Sequence, residues 1–168
     1  MNDDPPSDER ELIDEIEHGS GEYTDAELLD QAQLNAQAML LGTVSLLRKH
    51  PDMLGAWRQG LEDIFIRAWD AERAWSAAAI LDALLTNYRS FGATVVDHDA
   101  GEVSATATIS ALPDALLVEE LELDPADISE LLEIGAAIAG HLGGALDWTI
   151  DPDTGDIVLR VGVSRGTR

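Results

Sequence analysis

The chain has 168 residues, of which 45% are hydrophobic, with 33 Asp and Glu against 10 Lys and Arg, a net charge of -23 and a pI near 4.1. A length of this order suits one domain with a real core. The absence of cysteine excludes disulfides, thiolate metal sites and cysteine nucleophiles. Without a basic patch, nucleic-acid backbone binding loses its main energy source, and attraction to anionic lipid is lost for the same reason.

The acid is spread along the whole chain, and nine of the ten basic residues are Arg, Lys49 being the exception. Such a surface repels itself in dilute buffer, whereas molar salt shortens the screening length to about 3 Å. This reads as a protein of a halophilic cytoplasm. The competing reading of the charge is an acidic protein that binds a basic partner. No run of about 18 apolar residues marks a membrane span, and the acidic start lacks the apolar region of a signal peptide.

Residues 1–23 carry many charges, two prolines and Gly19-Ser20-Gly21, and read as an acidic disordered tail before a single domain over 24–168. Thr24-Asp25-Ala26-Glu27 spells a capping box. Leu28, Leu29, Ala32, Ala36, Met39, Leu40 and Leu47 then recur at helical spacing. Pro51 predicts the end of this helix near His50 and opens a second helical stretch. Trp57, Leu61, Ile64, Phe65, Ala68 and Trp69 share a face of that stretch, and the pattern continues through Trp75, Leu81, Leu84, Leu85 and Tyr88 to Gly92. A break near Asp70, dividing it into two packed segments, is expected.

From Ala93 the period changes to two. Val103, Ala105, Ala107 and Ile109 alternate with Ser104, Thr106, Thr108 and Ser110, which predicts a half-buried strand. Its expected partner is Thr94–Val96, joined through a turn at Asp97–Gly101. Pro113-Asp114 opens a short helix, and Asp124-Pro125 a longer one that Gly143-Gly144 stops. A second hairpin follows, with strands at Ala145–Ile150 and Ile157–Val163. The expected fold class is therefore α+β: an N-terminal helical layer, then helix-hairpin-helix-hairpin forming an antiparallel sheet of about four strands under helices.

The C-terminal half resembles a 4-vinyl-reductase-type domain, a relative of the TRAPP-subunit fold. The residues that carry the likeness are Phe91-Gly92 before a hairpin ending in Thr108-Ile109-Ser110-Ala111-Leu112-Pro113, the helix Gly135-Ala136-Ala137-Ile138-Ala139-Gly140-His141-Leu142, and Gly155-Asp156 before the final strand. The thiazoline-carboxylate hydrolase-like domains share the hairpin pattern. The likeness covers residues 88–163 and implies a fold with a habit of dimerising or binding small apolar ligands. Those families carry cysteines near the strand ends; this chain has none, so no thiol chemistry follows.

The candidate functional residues fall into two groups. Met39, Trp57, Phe65, Trp69, Trp75, His141 and Trp148 are the candidates to line a ligand pocket, since indoles outnumber Phe or Tyr. Gly135, Ala136, Ala139, Gly140 and Gly143 form a stripe without bulk, expected to be buried on the sheet or across a dimer two-fold. Neither the Asp-His-Asp at 97–99 nor the acidic run Asp151–Asp156 has the spacing of a metal site; both read as turns. No catalytic set, cofactor or metal is expected. The leading reading is a non-enzymatic binding or regulatory module, a homodimer holding a small apolar ligand. The alternatives are a protein-interaction adaptor without ligand, and a small hydrolase or isomerase using His141.

Overall fold

A computed structural model describes residues 23–164, so the acidic tail of residues 1–22 lies outside the described residues. The chain divides into two compact units, residues 1–31 and 32–168. The described part of the first unit is the start of helix α1 (Asp25–Leu47). Its capping box forms as the sequence spells it: the Glu27 N–H donates to Thr24 Oγ1 at 3.3 Å, and the Glu27 carboxylate accepts from the Thr24 N–H at 2.8 Å. These bonds to Thr24, the backbone one first, hold the Glu27 carboxyl below its ordinary pKa.

In the second unit α1 continues to Leu47, followed by α2 (Pro51–Ile66), α3 (Ala77–Ser90), β1 (Thr94–Ala100), β2 (Ser104–Ser110), α4 (Ala115–Glu120), α5 (Pro125–His141), β3 (Gly144–Ile150) and β4 (Ile157–Val163). This is the expected α+β arrangement, with helices first and then two hairpins in one antiparallel sheet. The strand order is β1-β2-β4-β3, so each hairpin gives one central and one edge strand. The inward face alternates as the sequence predicts: Ala105, Ala107 and Ile109 on β2 and Ile157, Leu159 and Val161 on β4 are all buried. They pack under Ile80, Leu81, Leu84 and Tyr88 of α3 and Ile128, Leu132, Ile138 and Ala139 of α5. Each fully buried aliphatic side chain here contributes roughly 1.5–3 kcal/mol.

The long helical stretch does break, over residues 67–76. Ala68 and Trp69 therefore lie beyond α2 and not on it. Ser76 restarts the helix as N-cap, its Oγ accepting from the Ala79 N–H at 3.2 Å. The N–H groups of Ala77 and Ala78 donate to Glu102 and Gly101, each at 3.0 Å, so the first hairpin's tip ties down α3.

That hairpin departs from the expected boundaries. β1 runs to Ala100, and Asp97, His98 and Asp99 are strand residues opposite Thr108, Ala107 and Thr106. Their polarity reads as a turn, but an edge strand tolerates charged side chains. A bulge between Val95 and Asp97 resets the alternation and sets His98 opposite the inward Ala107. Val103 falls outside β2, and its carbonyl accepts from the Val163 N–H at 3.0 Å.

Polar ties hold α1, the residue just after it and α2 to the sheet domain. Buried Gln37 donates from Nε2 to the Phe91 carbonyl at 2.6 Å and accepts at Oε1 from the Asp114 N–H at 2.8 Å. Arg48 donates to the Glu122 carbonyl at 2.7 Å and pairs with Asp127 at 2.8 Å. Asp127 is itself half of a capping box with Asp124 at the start of α5. On α2, Arg58 reaches Glu130 of α5 at 2.9 Å.

Candidate functional site

A partly enclosed recess of the second unit is a crevice of about 40 Å³. α1 supplies Leu40, α2 supplies Phe65, and α3 supplies Leu84, Asn87 and Tyr88. Phe91 and Leu112 come from connections, and Leu131, Ile134, Gly135 and Ile138 from α5. The helical period explains the selection. Leu84, Asn87 and Tyr88 follow at i, i+3 and i+4 on α3, while Leu131, Ile134, Gly135 and Ile138 repeat the spacing on α5. No charged side chain lines the crevice.

Its polarity comes from two groups. Tyr88 is 6% exposed, and burial pushes its phenol well above the usual range, so the hydroxyl stays protonated. Tyr88 Oη and Asn87 Nδ2 are the buried side-chain polar atoms that lack a hydrogen-bond partner among the described residues. Gly135 leaves room for the phenol: a Cβ there would collide with Oη and stand 3.2 Å from Cζ and 3.3 Å from Leu146 Cδ2. A glycine inside α5 is thereby explained by close approach, since it costs about 1 kcal/mol against Ala in helix propensity.

Of the seven residues expected to line a pocket, Phe65 lines this crevice. Met39 is a surface residue, 75% exposed. Trp57 is half-buried on α2. Trp69 and Trp75 meet edge to face, with ring centroids 6.0 Å apart and planes at 79°. Arg73 sits 4.8 Å over the Trp75 ring, and the indole N–H of Trp75 donates to the Asp70 carbonyl at 2.8 Å. These contacts stabilise the 67–76 connection. His141 stands exposed at the end of α5, with Nε2 3.2 Å from the Trp69 carbonyl, so its partner is a backbone group of the same connection. Trp148 faces inward from β3, its indole N–H 3.3 Å from Ser129 Oγ.

The small-residue stripe divides. Gly135 and Ala139 are buried, Ala136 is intermediate, and Gly140 and Gly143 are exposed. A Cβ on Gly140 would meet nothing within 4 Å, so the sheet does not cover this end of the stripe, and its burial would need a second copy. Gly143 has φ +83 and follows the helix C-cap, a termination role. The two acidic segments also resolve. His98 Nε2 lies 3.6 Å from an Asp82 oxygen, and the Asp151 carboxylate accepts from the N–H groups of Asp153 and Thr154 at 2.8 and 3.1 Å, closing its own turn.

The sequence analysis missed Tyr88 and Asn87 as site residues. Tyr88 reads as one more apolar position on the α3 face, and only the pairing of its hydroxyl with Gly135 across two helices distinguishes it. The fold and crevice define an antiparallel sheet covered by helices, with a small apolar cleft between them. No protein-family model matches this chain, and neither a curated protein nor a solved structure matches it. Among the described residues no helix is long and apolar enough to cross a membrane.

Proposed function

We propose that this protein is a non-enzymatic binding module of a salt-rich cytoplasm, acting as a homodimer that meets its partner through the outer faces of α1 and α2. The observation that supports this reading is a set of large apolar side chains left exposed there: Met39 at 75%, Leu46 at 73%, Met53 at 58% and Ile64 at 65%. On a chain with a net charge of -23, these positions stand out against a carboxylate surface. Met39 and Leu46 are one heptad apart, and Met53, Trp57, Gly60 and Ile64 follow the 4-3-4 spacing of a helix–helix seam. A Cβ on Gly42 or Gly60 would meet nothing within 4 Å, which leaves depressions for a partner's side chains.

Molar salt favours such an association by screening the carboxylates. The reading of the C-terminal half as a 4-vinyl-reductase-type domain rests on the sequence likeness at residues 91–113, 135–142 and 155–156. The placement of His141 against a backbone carbonyl lends nothing to a hydrolase. Sedimentation equilibrium in molar KCl tests the proposal. The expected result is a dimer that Met39→Glu with Ile64→Glu converts to a folded monomer. A wild-type chain that remains monomeric across the accessible concentrations overturns it, and a heterologous partner lost in the same variant would favour the adaptor instead.

A further inference from the structure

Strand β1 is an edge of the sheet, and the helices shield it incompletely: Val95 is half-buried and its other residues are exposed. The register sets Val95, His98 and Ala100 on the helix side, opposite the inward Ile109, Ala107 and Ala105. Beyond the bulge, Asp97–Ala100 pair with Thr108–Ala105 without interruption. Among the described residues, the backbone groups of Asp97–Ala100 make no bond outside the sheet. The outer edge of this stretch therefore offers unpaired N–H and C=O groups at strand spacing.

Beside that edge runs an open groove of about 370 Å³, lined by Asp82, Leu85, Thr86 and Arg89 of α3 and by Val95 and His98 of β1. The four α3 positions follow at i, i+3, i+4 and i+7, one stripe of the helix. His98 Nε2 lies 3.6 Å from Asp82 Oδ1, which puts Asp82 at the His98 end and Arg89 toward Val95. At 1.5 Å per residue the two charges stand about 10 Å apart along the helix, with Leu85 and Val95 between them. Among the described residues no carboxylate pairs with Arg89. The groove is thus negative at one end, apolar in the middle and positive at the other. A second copy does not suit it, because two β1 edges side by side would bring Asp97 and Asp99 against their own kind.

We propose that α3 and β1 form a docking groove for an extended segment of a partner protein, which adds a strand to the free edge of β1 and lays basic, apolar and acidic side chains, in that order, against Asp82, the Leu85–Val95 floor and Arg89. Every pairing in this sheet is antiparallel, and an antiparallel segment enters at the His98 end, so its basic residue comes first. Side chains at alternate positions face the groove, and three of them span about 13 Å, within reach of Asp82 and Arg89. The groove takes these side chains, while the backbone of the segment lies along β1. The site is independent of the association proposed above, because it uses none of the exposed apolar residues of α1 and α2.

The probe is the end-blocked, fluorophore-labelled peptide Ser-Lys-Thr-Val-Thr-Glu-Ser, titrated by anisotropy into full-length protein at the lowest KCl concentration that keeps it folded, since salt screens the charge pairs. Controls are the reversed order Ser-Glu-Thr-Val-Thr-Lys-Ser and a peptide with Gln at both charged positions. The expected result is saturable binding of the first peptide, about fivefold tighter than either control, with amide exchange slowed at Asp97–Ala100. Arg89→Glu should weaken the first peptide about fivefold, and replacing the peptide's Glu by Lys should restore binding to that variant. Methylating the alternate amides that face β1 should abolish binding, and methylating the other set should not. The groove is overturned if no peptide binds saturably, if the reversed order or the Gln peptide binds equally well, or if exchange slows on α1 and α2 instead of β1.

Discussion

The side chain of Gln37 joins two backbone segments that lie 54 and 77 residues further along the chain: Nε2 donates to the Phe91 carbonyl and Oε1 accepts from the Asp114 N–H. One amide thereby satisfies a group at the end of α3 and another at the start of α4, and a second bond from Nε2 reaches the Ala111 carbonyl at 3.3 Å. Gln37→Leu keeps the volume and strands those groups. The expected cost is about 2–3 kcal/mol, since each buried group left unpaired costs about 1–3 kcal/mol. Chemical denaturation at fixed salt measures it, and an unchanged midpoint would mean that water replaces the amide.

Gly135 and Gly140 share a helix and should respond to alanine in opposite directions. At Gly135 the new Cβ meets Tyr88 Oη, and overpacking of this kind costs about 1–3 kcal/mol. Adding Tyr88→Phe removes the clashing atom and should recover part of the loss, giving a coupling that a double-mutant cycle resolves. At Gly140 the space is open, so Ala should stabilise by about 0.5–1 kcal/mol through helix propensity and a less flexible unfolded chain.

Gly140→Leu separates solvent from a dimer face. Nothing within the chain opposes the larger side chain, so the melting temperature of the monomer should hold. Loss of the dimer in sedimentation, with stability of the fold unchanged, would place Gly140 in the contact. Retention of both excludes it.

Alkaline pH should unfold the protein earlier than the Tyr88→Phe variant. Burial raises the Tyr88 phenol above its ordinary value of 10.0, so the folded state keeps the proton that the unfolded state gives up. The resulting stability is fully present below about pH 10 and falls progressively as the pH rises above it. Unfolding at pH 9 and pH 11 for both chains tests this: the loss between them should be smaller in the phenylalanine variant. Equal losses would show that the phenol is not the group responsible.

Salt dependence is the broadest expectation. With 33 acidic against 10 basic residues, the compact state should gain stability as KCl rises from dilute to molar, because screening removes self-repulsion. Circular dichroism melts across that range measure it. A melting temperature that is level or higher in dilute buffer contradicts the halophilic reading.

What could be read in advance follows the range of each interaction. The Thr24 capping box, the stop before Pro51 and the alternation of Ala105, Ala107 and Ile109 are local, and all three stand in the structure where their patterns place them. The strand at Asp97–Asp99 was obscured because its polar side chains belong to a sheet edge that only strand pairing reveals. The indoles gather at separate places because Trp69 and Trp75 pair within a connection and Trp148 sits on an edge strand. Gln37, Tyr88 and the Arg48–Asp127 pair are long-range relationships, invisible in the spacing of any one helix.

The position of β4 sets a condition on how the molecule is made. Its hydrogen-bonding partners are β2 on one side and β3 on the other, so the last strand to be synthesised is the one that joins the two hairpins. Until residues 157–163 leave the ribosome, Ala105, Ala107 and Ile109 have no neighbour on that edge, and the nascent chain carries an unpaired hydrophobic ladder. Completion of the sheet thus waits on the last of its four strands to be synthesised. A stalled or prematurely terminated product should be open to aggregation, whatever the stability of the finished fold.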